Sequence, residues 1–176
     1  MKKILITGGL GYIGSHLAVS LIDQNYKVTI IDNISNSRLK TIKIIKKITK
    51  KKFKFKKLDL INFKKLNSFL KNNKFDIVFH LAGFKSVRES EIYPEDYIQN
   101  NIIGSINLLK LMIKYKIKNI IFSSSATVYG KQKTYIYTEK MKCSPINTYG
   151  ITKKIVEDLI IKFNQKKKIN YVILRY

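Results

Sequence analysis

Cysteine occurs once, at Cys143, so the chain can close no internal disulfide and holds no multi-cysteine zinc site. The two histidines, His16 and His80, add no metal-ligand spacing, and no metal site is expected. Acidic residues are few: 11 Asp+Glu stand against 35 Lys+Arg, a formal net charge of +24. Arginine is scarcer still. Only Arg38, Arg88 and Arg175 are present, and the other 32 cations are lysine. Nucleic-acid readers rely on arginine because its planar fork binds phosphates and bases bidentately. A lysine excess accompanied by abundant Ile and Asn reads instead as compositional bias. No apolar run approaches the roughly 20 residues of a membrane span. The opening Ile4-Leu5-Ile6 breaks at Thr7-Gly8-Gly9, too soon for a signal-peptide core. These shortages point to a soluble, cytoplasmic protein with no membrane partner and no specific nucleic-acid partner.

What is present is a core. The chain has 176 residues, of which 45% are apolar, enough for one domain and too many for a disordered basic tail. The densest lysine run, residues 46–57, reads as a solvated helix end followed by an edge strand whose lysines discourage edge-to-edge pairing. The other reading of that run is non-specific polyanion binding through counterion release.

Strand and helix patterns alternate. Short apolar runs at 3–7, 27–31, 53–58, 76–81, 119–123 and 170–175 read as strands. Helical spacing predicts helices over 13–24, 39–49, 62–71, 95–115 and 147–163. Strands that are apolar end to end and separated by helices imply a parallel sheet covered on both faces. The expected fold is α/β, a Rossmann-type doubly wound parallel sheet, with residues 1–176 forming one dinucleotide-binding domain.

The first chemistry lies in a glycine turn. Half of the eight glycines fall within residues 8–14, where Gly8, Gly11 and Gly14 follow a strand and open a helix. Glycines there allow a tight turn and a close backbone approach to a pyrophosphate, and the helix aims its amides at that anion. Asp32 ends the second strand, 18 residues past Gly14, where a carboxylate can bind the ribose hydroxyls. The same charge would repel a 2′-phosphate, which favours NAD over NADP.

The second constellation is Ser123-Ser124-Ser125 at the end of the fifth strand, followed by Tyr149 and Lys153. Tyr149 and Lys153 are four residues apart and share one face of a helix. An adjacent ammonium favours tyrosinate, so Lys153 is expected to lower the Tyr149 pKa toward neutral and make it a general base. A serine hydroxyl can donate to the same substrate oxygen. A second pair at this spacing, Tyr129 and Lys133, sits in a polar, non-periodic segment, and Tyr129 is expected to pack under a loop.

Together these motifs carry a resemblance. Thr7-Gly8-x-x-Gly11-x-x-Gly14, Asp32-Asn33, Leu81-Ala82-Gly83 and Tyr149-x-x-x-Lys153 resemble the extended short-chain dehydrogenase/reductase family. Residues 8–16, 82–90 and 122–130 are similar to the UDP-glucose 4-epimerases within it, NAD-dependent isomerases that interconvert UDP-glucose and UDP-galactose. The resemblance implies that Ser125, Tyr149 and Lys153 are catalytic. Tyr149 would take the proton of the sugar C4 hydroxyl, Ser125 would help to pass it, and Lys153 would hold the nicotinamide ribose. It further implies that Gly8, Gly11, Tyr12, Ile13 and Gly14 hold the pyrophosphate side of the NAD. Asp32, Asn33, Asn36 and Ser37 would sit at the adenosine ribose, and Asp59 and Leu60 at the adenine. Leu81, Ala82, Gly83, Phe84, Lys85, Asn100 and Ser123 would line the rest. Lys85, Ser125 and Tyr149 would also meet the UDP-sugar.

Three expectations accompany the resemblance. Arg88 and Thr148 stand where this family is expected to have glycine and proline. The family's smaller C-terminal substrate domain should follow Tyr176, so the chain reads as truncated after the sixth strand, with little or no turnover and an exposed apolar edge. A homodimer through residues 95–115 and 147–163 is expected by analogy. Two other readings remain open. One is another NAD-dependent sugar-nucleotide epimerase or dehydratase, and the other is a non-enzymatic polyanion-binding protein on a vestigial Rossmann core.

Overall fold

A strand buried on both faces needs an apolar residue at every position rather than at every second one. β1 (Lys3–Thr7) shows the consequence. Ile4 and Ile6 point to one side of the sheet, where they meet Ala18, Leu21, Ile22 and Ile45. Leu5 points to the other, into a larger core with Leu66, Leu70, Leu108, Met112, Val156 and Ile160. The computed structural model describes residues 1–132, 136–166 and 168–176.

The remaining strands are β2 (Lys27–Asp32), β3 (Lys54–Lys57), β4 (Ile77–His80), β5 (Asn119–Ser123) and β6 (Asn170–Leu174). All neighbours pair in parallel, in the order β3-β2-β1-β4-β5-β6. This is the Rossmann order, with its reversal between β1 and β4, where the carboxyl ends of the strands open a crevice. The pairing Thr7↔His80 sets those two ends side by side.

Helices α1 (Tyr12–Asp23) and α2 (Lys40–Thr49) cover one face, while α3 (Phe63–Lys71), α6 (Gly104–Lys114) and α7 (Thr148–Gln165) cover the other. Local chemistry sets their ends. Asn25, with φ of 66°, follows α1 in the left-handed conformation, and Lys50, with φ of 52°, does so after α2. The side chains of Asn62 and Asn147 accept the Lys65 and Gly150 amides at the starts of α3 and α7.

The segment expected to form one helix over 95–115 is more elaborate. A short α4 (Val87–Ile92) precedes it, unforeseen because six residues carry too little periodicity. The segment itself runs as α5 (Pro94–Tyr97), a π-helical stretch over Ile98–Ile103, and then α6. Such stretches inside α-helices mark functional sites.

The two sheet edges differ. β3 exposes Lys54, Lys56 and Lys57, the charged edge anticipated from the lysine run. β6 exposes Tyr171, Val172 and Leu174, with Val172 at 51%. No helix among the described residues is long and apolar enough to cross a membrane.

Candidate functional site

The chain leaves β1 through Gly8, whose φ of +68° disfavours any residue with a Cβ. A Cβ there would also lie 2.7 Å from the backbone N and Cα of Ala82. Glycine is thus what lets the ends of β1 and β4 meet. Gly14, in the first turn of α1, has the same role within the loop: its Cβ would lie 2.7 Å from Gly9 Cα. The N-cap of α1, Gly11, offers no side-chain bond, and its first turn holds no acid. The amides there face the crevice without a side-chain cap, an arrangement suited to an anion.

Asp32 lies at the crevice end of β2 and is 8% exposed. Its Oδ2 accepts the Leu10 amide at 3.0 Å, and its Oδ1 accepts the Ile34 amide at 2.9 Å and the Ser37 hydroxyl at 2.8 Å. Asn33 Nδ2 donates to Asp59 at 2.9 Å, and Asp59 also accepts the Ile61 amide at 2.9 Å. Asp59 therefore braces this wall.

A buried polar chain crosses beneath the crevice. The Ala82 amide donates to Thr7 Oγ1 at 3.3 Å, Thr7 Oγ1 meets His80 Nδ1 at 2.8 Å, and His80 Nε2 meets Ser105 Oγ at 2.8 Å. Ser105 donates its one proton to the Asn101 carbonyl. Its oxygen must therefore accept from His80 Nε2–H, which leaves Nδ1 to accept from Thr7. Burial, aided by the Lys153 charge, lowers the His80 pKa to about 3, so the ring is neutral.

The buried polar residue of the π-helical stretch is Asn101, one residue after Asn100. Asn101, 3% exposed in the π-helical stretch, accepts the Phe84 amide at 2.8 Å and donates to the Phe84 carbonyl and to Thr152 Oγ1. Asn100 donates to Asn101 and lines the crevice. A change of helical register cannot be read from residue spacing, so the sequence could not tell the two asparagines apart.

At the far end stand Tyr149 and Lys153, both buried. One expectation is corrected here. The Lys153 ammonium donates to the Ser123 carbonyl at 2.9 Å and lies 5.8 Å from the centre of the Tyr149 ring. The Tyr149 pKa is raised above its ordinary value rather than lowered toward neutral. Burial is the largest influence and raises that pKa, while a hydrogen bond with Ser125 lowers it. Lys153 itself is lowered to about 8 by burial, against the opposing charge of Glu157.

Glu157 is fully buried one turn beyond Lys153. It accepts the Ser124 hydroxyl and a two-pronged bond from Arg175 at 3.0 and 2.7 Å. Arg175 also reaches Tyr129 Oη at 3.1 Å, which fixes Tyr129 beneath its loop. Lys133, the other member of the Tyr129 pair, lies outside the described residues.

These walls enclose a cavity of about 490 Å³, of the size that holds small-molecule cofactors. Gly8, Gly11, Tyr12, Ile13 and Gly14 line its middle; Asp32, Asn33, Asn36, Ser37, Asp59 and Leu60 line one end. Leu81, Ala82, Gly83, Phe84, Lys85, Asn100, Ser123, Tyr149 and Lys153 line the rest. Ser125 is not in the lining. Its hydroxyl caps a 3₁₀ turn over Ala126–Tyr129, accepting the Thr127 amide, and is hydrogen-bonded to Tyr149, which does line the cavity. The lining also includes Ser86, Glu89 and Tyr176, to which no role had been given. Ser86 and Glu89 could have been found from their place just after Lys85 in the loop leaving a crevice strand.

Similarity to known proteins was found over the whole of this architecture. The NAD dependent epimerase/dehydratase family matches residues 4–176. The UDP-glucose 4-epimerase of Dictyostelium discoideum is 42% identical over 175 residues, 99% of this chain and 51% of that protein. The enzyme of Schizosaccharomyces pombe is 41% identical over 98% of this chain and 50% of its own length. Among solved structures, a Stenotrophomonas maltophila UDP-glucose 4-epimerase with bound NAD and formylated UDP-arabinopyranose superimposes with a TM-score of 0.95 at 36% identity, covering 100% of this chain and 53% of that one. A Bifidobacterium longum enzyme in complex with NAD⁺ and UDP gives 0.95 at 35% identity, over 99% and 52%. The chain spans about half the length of these relatives.

Proposed function

This chain belongs to the NAD dependent epimerase/dehydratase family, and we propose that residues 1–176 are the NAD-binding half of a UDP-sugar 4-epimerase. The observation that carries this reading is the single cavity wall that runs from Asp32, past the Gly8–Gly14 turn, to Tyr149 and Lys153. The residues fit the cofactor. Asp32 has three of its roughly four acceptor positions filled by Leu10, Ile34 and Ser37. The free position, on Oδ2, suits one ribose hydroxyl, and the carboxylate disfavours a 2′-phosphate. The uncapped amides of α1 suit the pyrophosphate.

NAD bound there would supply reversible hydride acceptance at the sugar C4. The chain's own residues handle the proton. Tyr149 Oη, once ionised, would take it from the C4 hydroxyl, and the Ser125 hydroxyl, which is hydrogen-bonded to Tyr149, is the next group along. Without cofactor the buried Tyr149 is a phenol at neutral pH, so it must lose its own proton before it can accept the C4 one; the positive nicotinamide ring of bound NAD⁺ would favour that ionisation, and Lys153 is the more readily deprotonated of the two. Lys153 holds its place through the Ser123 carbonyl, lines the crevice and would meet the nicotinamide ribose. The sugar nucleotide would meet Lys85 and Tyr149 here, and its remaining contacts lie in the half that the relatives carry and these 176 residues do not. Remote binding energy positions reacting groups, so turnover by these residues alone is proposed to be little or none. The proposed setting is the cytoplasm, with a UDP-sugar as partner and a homodimer as the assembly.

NADH fluorescence titration tests the reading. Saturable binding is expected, weakened about ten-fold by Asp32→Ala, on the scale of one lost charged hydrogen bond. NADPH should bind more weakly than NADH. Equal binding of NADH to the wild type and to the variant would reject the assignment.

A further inference from the structure

The first turn of α7 carries Tyr149, and every amide at that start has a partner. Gly150 N–H donates to Asn147 Oδ1 at 2.7 Å and Ile151 N–H to the Asn147 carbonyl at 2.9 Å, as a capped helix does by itself. The two amides before them are taken from outside the helix. Thr148 N–H donates to Glu91 Oε1 at 2.7 Å, and Tyr149 N–H donates to Ser90 Oγ at 3.1 Å. Both acceptors belong to α4.

Ser90 is fully buried, and its own proton goes to the Val87 carbonyl at 2.6 Å, so its oxygen is fixed as an acceptor. The hydrogen bond from Thr148 holds the Glu91 carboxyl below its ordinary pKa, and a carboxylate at a helix N-terminus is favoured by the dipole. α4 begins directly after the loop that walls the crevice. Ser86 and Glu89 line the cavity, and the Ser86 amide donates to Tyr97 Oη at 2.9 Å. The chain that touches the cofactor side of the crevice thus passes within a few residues into the two groups that hold the Tyr149 backbone. Thr148 matters to this link. The family resemblance leads one to expect proline there, which has no N–H to give; threonine supplies the donor that Glu91 accepts.

We propose that Ser90 and Glu91 are positioning residues for Tyr149. α4 caps the catalytic helix from outside and ties the place of the Tyr149 hydroxyl to the loop 82–86 that faces the cofactor. This rests on the reading of Tyr149 as the proton-transferring group.

The test is a pH titration of tyrosine-ring carbon resonances in the cofactor-free protein, with Tyr149→Phe identifying the Tyr149 signal. Ser90→Ala and Glu91→Ala should each shift the Tyr149 midpoint, and Glu91→Gln, which keeps an acceptor oxygen, should restore it. Proline suits the first position of a helix, so Thr148→Pro should fold. In that background Glu91→Ala should change nothing further, because the donor is gone. NADH affinity should fall about five-fold in Ser90→Ala, the factor that corresponds to the loss of one good cap. An unchanged Tyr149 midpoint in folded Glu91→Ala and Ser90→Ala overturns the proposal. If Ser90→Ala does not fold, the surface pair Glu91 and Thr148 decides alone. Midpoints that shift in a protein that binds no NADH would support the positioning role and reject the cofactor reading.

Discussion

The two ends of the crevice are built differently. The end formed by Gly8, Gly14 and Asp32 is made of neighbours in sequence: a strand, a turn, a helix start and the tip of the next strand. The end formed by Tyr149 and Lys153 is assembled from afar. Its lysine is held by Ser123, its helix start by Ser90 and Glu91, and its next turn by Arg175 and Ser124 through Glu157. The first end is preorganised by backbone conformation. The second depends on buried polar groups that satisfy one another, and these cost most when one member is removed. The local end should therefore fail by steric clash and the assembled end by broken networks.

The largest effect is expected at the assembled end. Glu157→Ala leaves Arg175 without its carboxylate and Ser124 without its acceptor, and should cost roughly 3 kcal/mol in urea unfolding, the lower side of the range for a broken buried pair because Arg175 is partly exposed. It should also lower the Lys153 pKa further, since Glu157 now raises it. Loss of less than about 1 kcal/mol would mean that the network is not the brace described here.

Between the two ends lies His80, and it makes a pH signature. Its pKa is about 3 when folded against about 6.5 otherwise. As pH falls below 6.5 the unfolded chain takes the proton first, so stability is lost on the way down to pH 3. The difference between wild type and His80→Asn should shrink by roughly 3 kcal/mol from pH 7 to pH 4. A pH-independent difference would mean that the folded ring titrates like an exposed one.

At the local end, Gly8→Ala forces a Cβ into a left-handed residue and against Ala82. A cost of about 2 kcal/mol is expected from the strained backbone, together with loss of NADH binding as the ends of β1 and β4 separate. The smallest effect should come from Asn147→Ala. It removes one of several partners at the start of α7, and about 1 kcal/mol in thermal unfolding is expected.

Much of this was legible in the residues. The alternation of apolar runs and helical spacing implied a parallel doubly wound sheet, and the strand limits 3–7 and 119–123 coincide with β1 and β5. The glycine turn and Asp32 were readable because their chemistry is set by a handful of adjacent residues. What escaped was non-local. α4 is too short to show a period, and it is the π-helical stretch that buries Asn101 rather than its neighbour Asn100. The i,i+4 spacing of Tyr149 and Lys153 placed the ammonium near the ring, but its hydrogen-bond partner, the Ser123 carbonyl at the end of β5, comes from a distant part of the chain.

By itself the sequence determined the order of strands and helices, the turn that brings backbone close to an anion, and the presence of a tyrosine and a lysine on one helical face. Each follows from periodicity or from residues within a turn of one another. Only the tertiary structure decided which asparagine is buried, which serines line the cavity and which is hydrogen-bonded to Tyr149. It also decided where the Lys153 charge points. Those outcomes depend on desolvation and on hydrogen-bond partners many residues away, and burial and long-range pairing exist only once the sheet has formed.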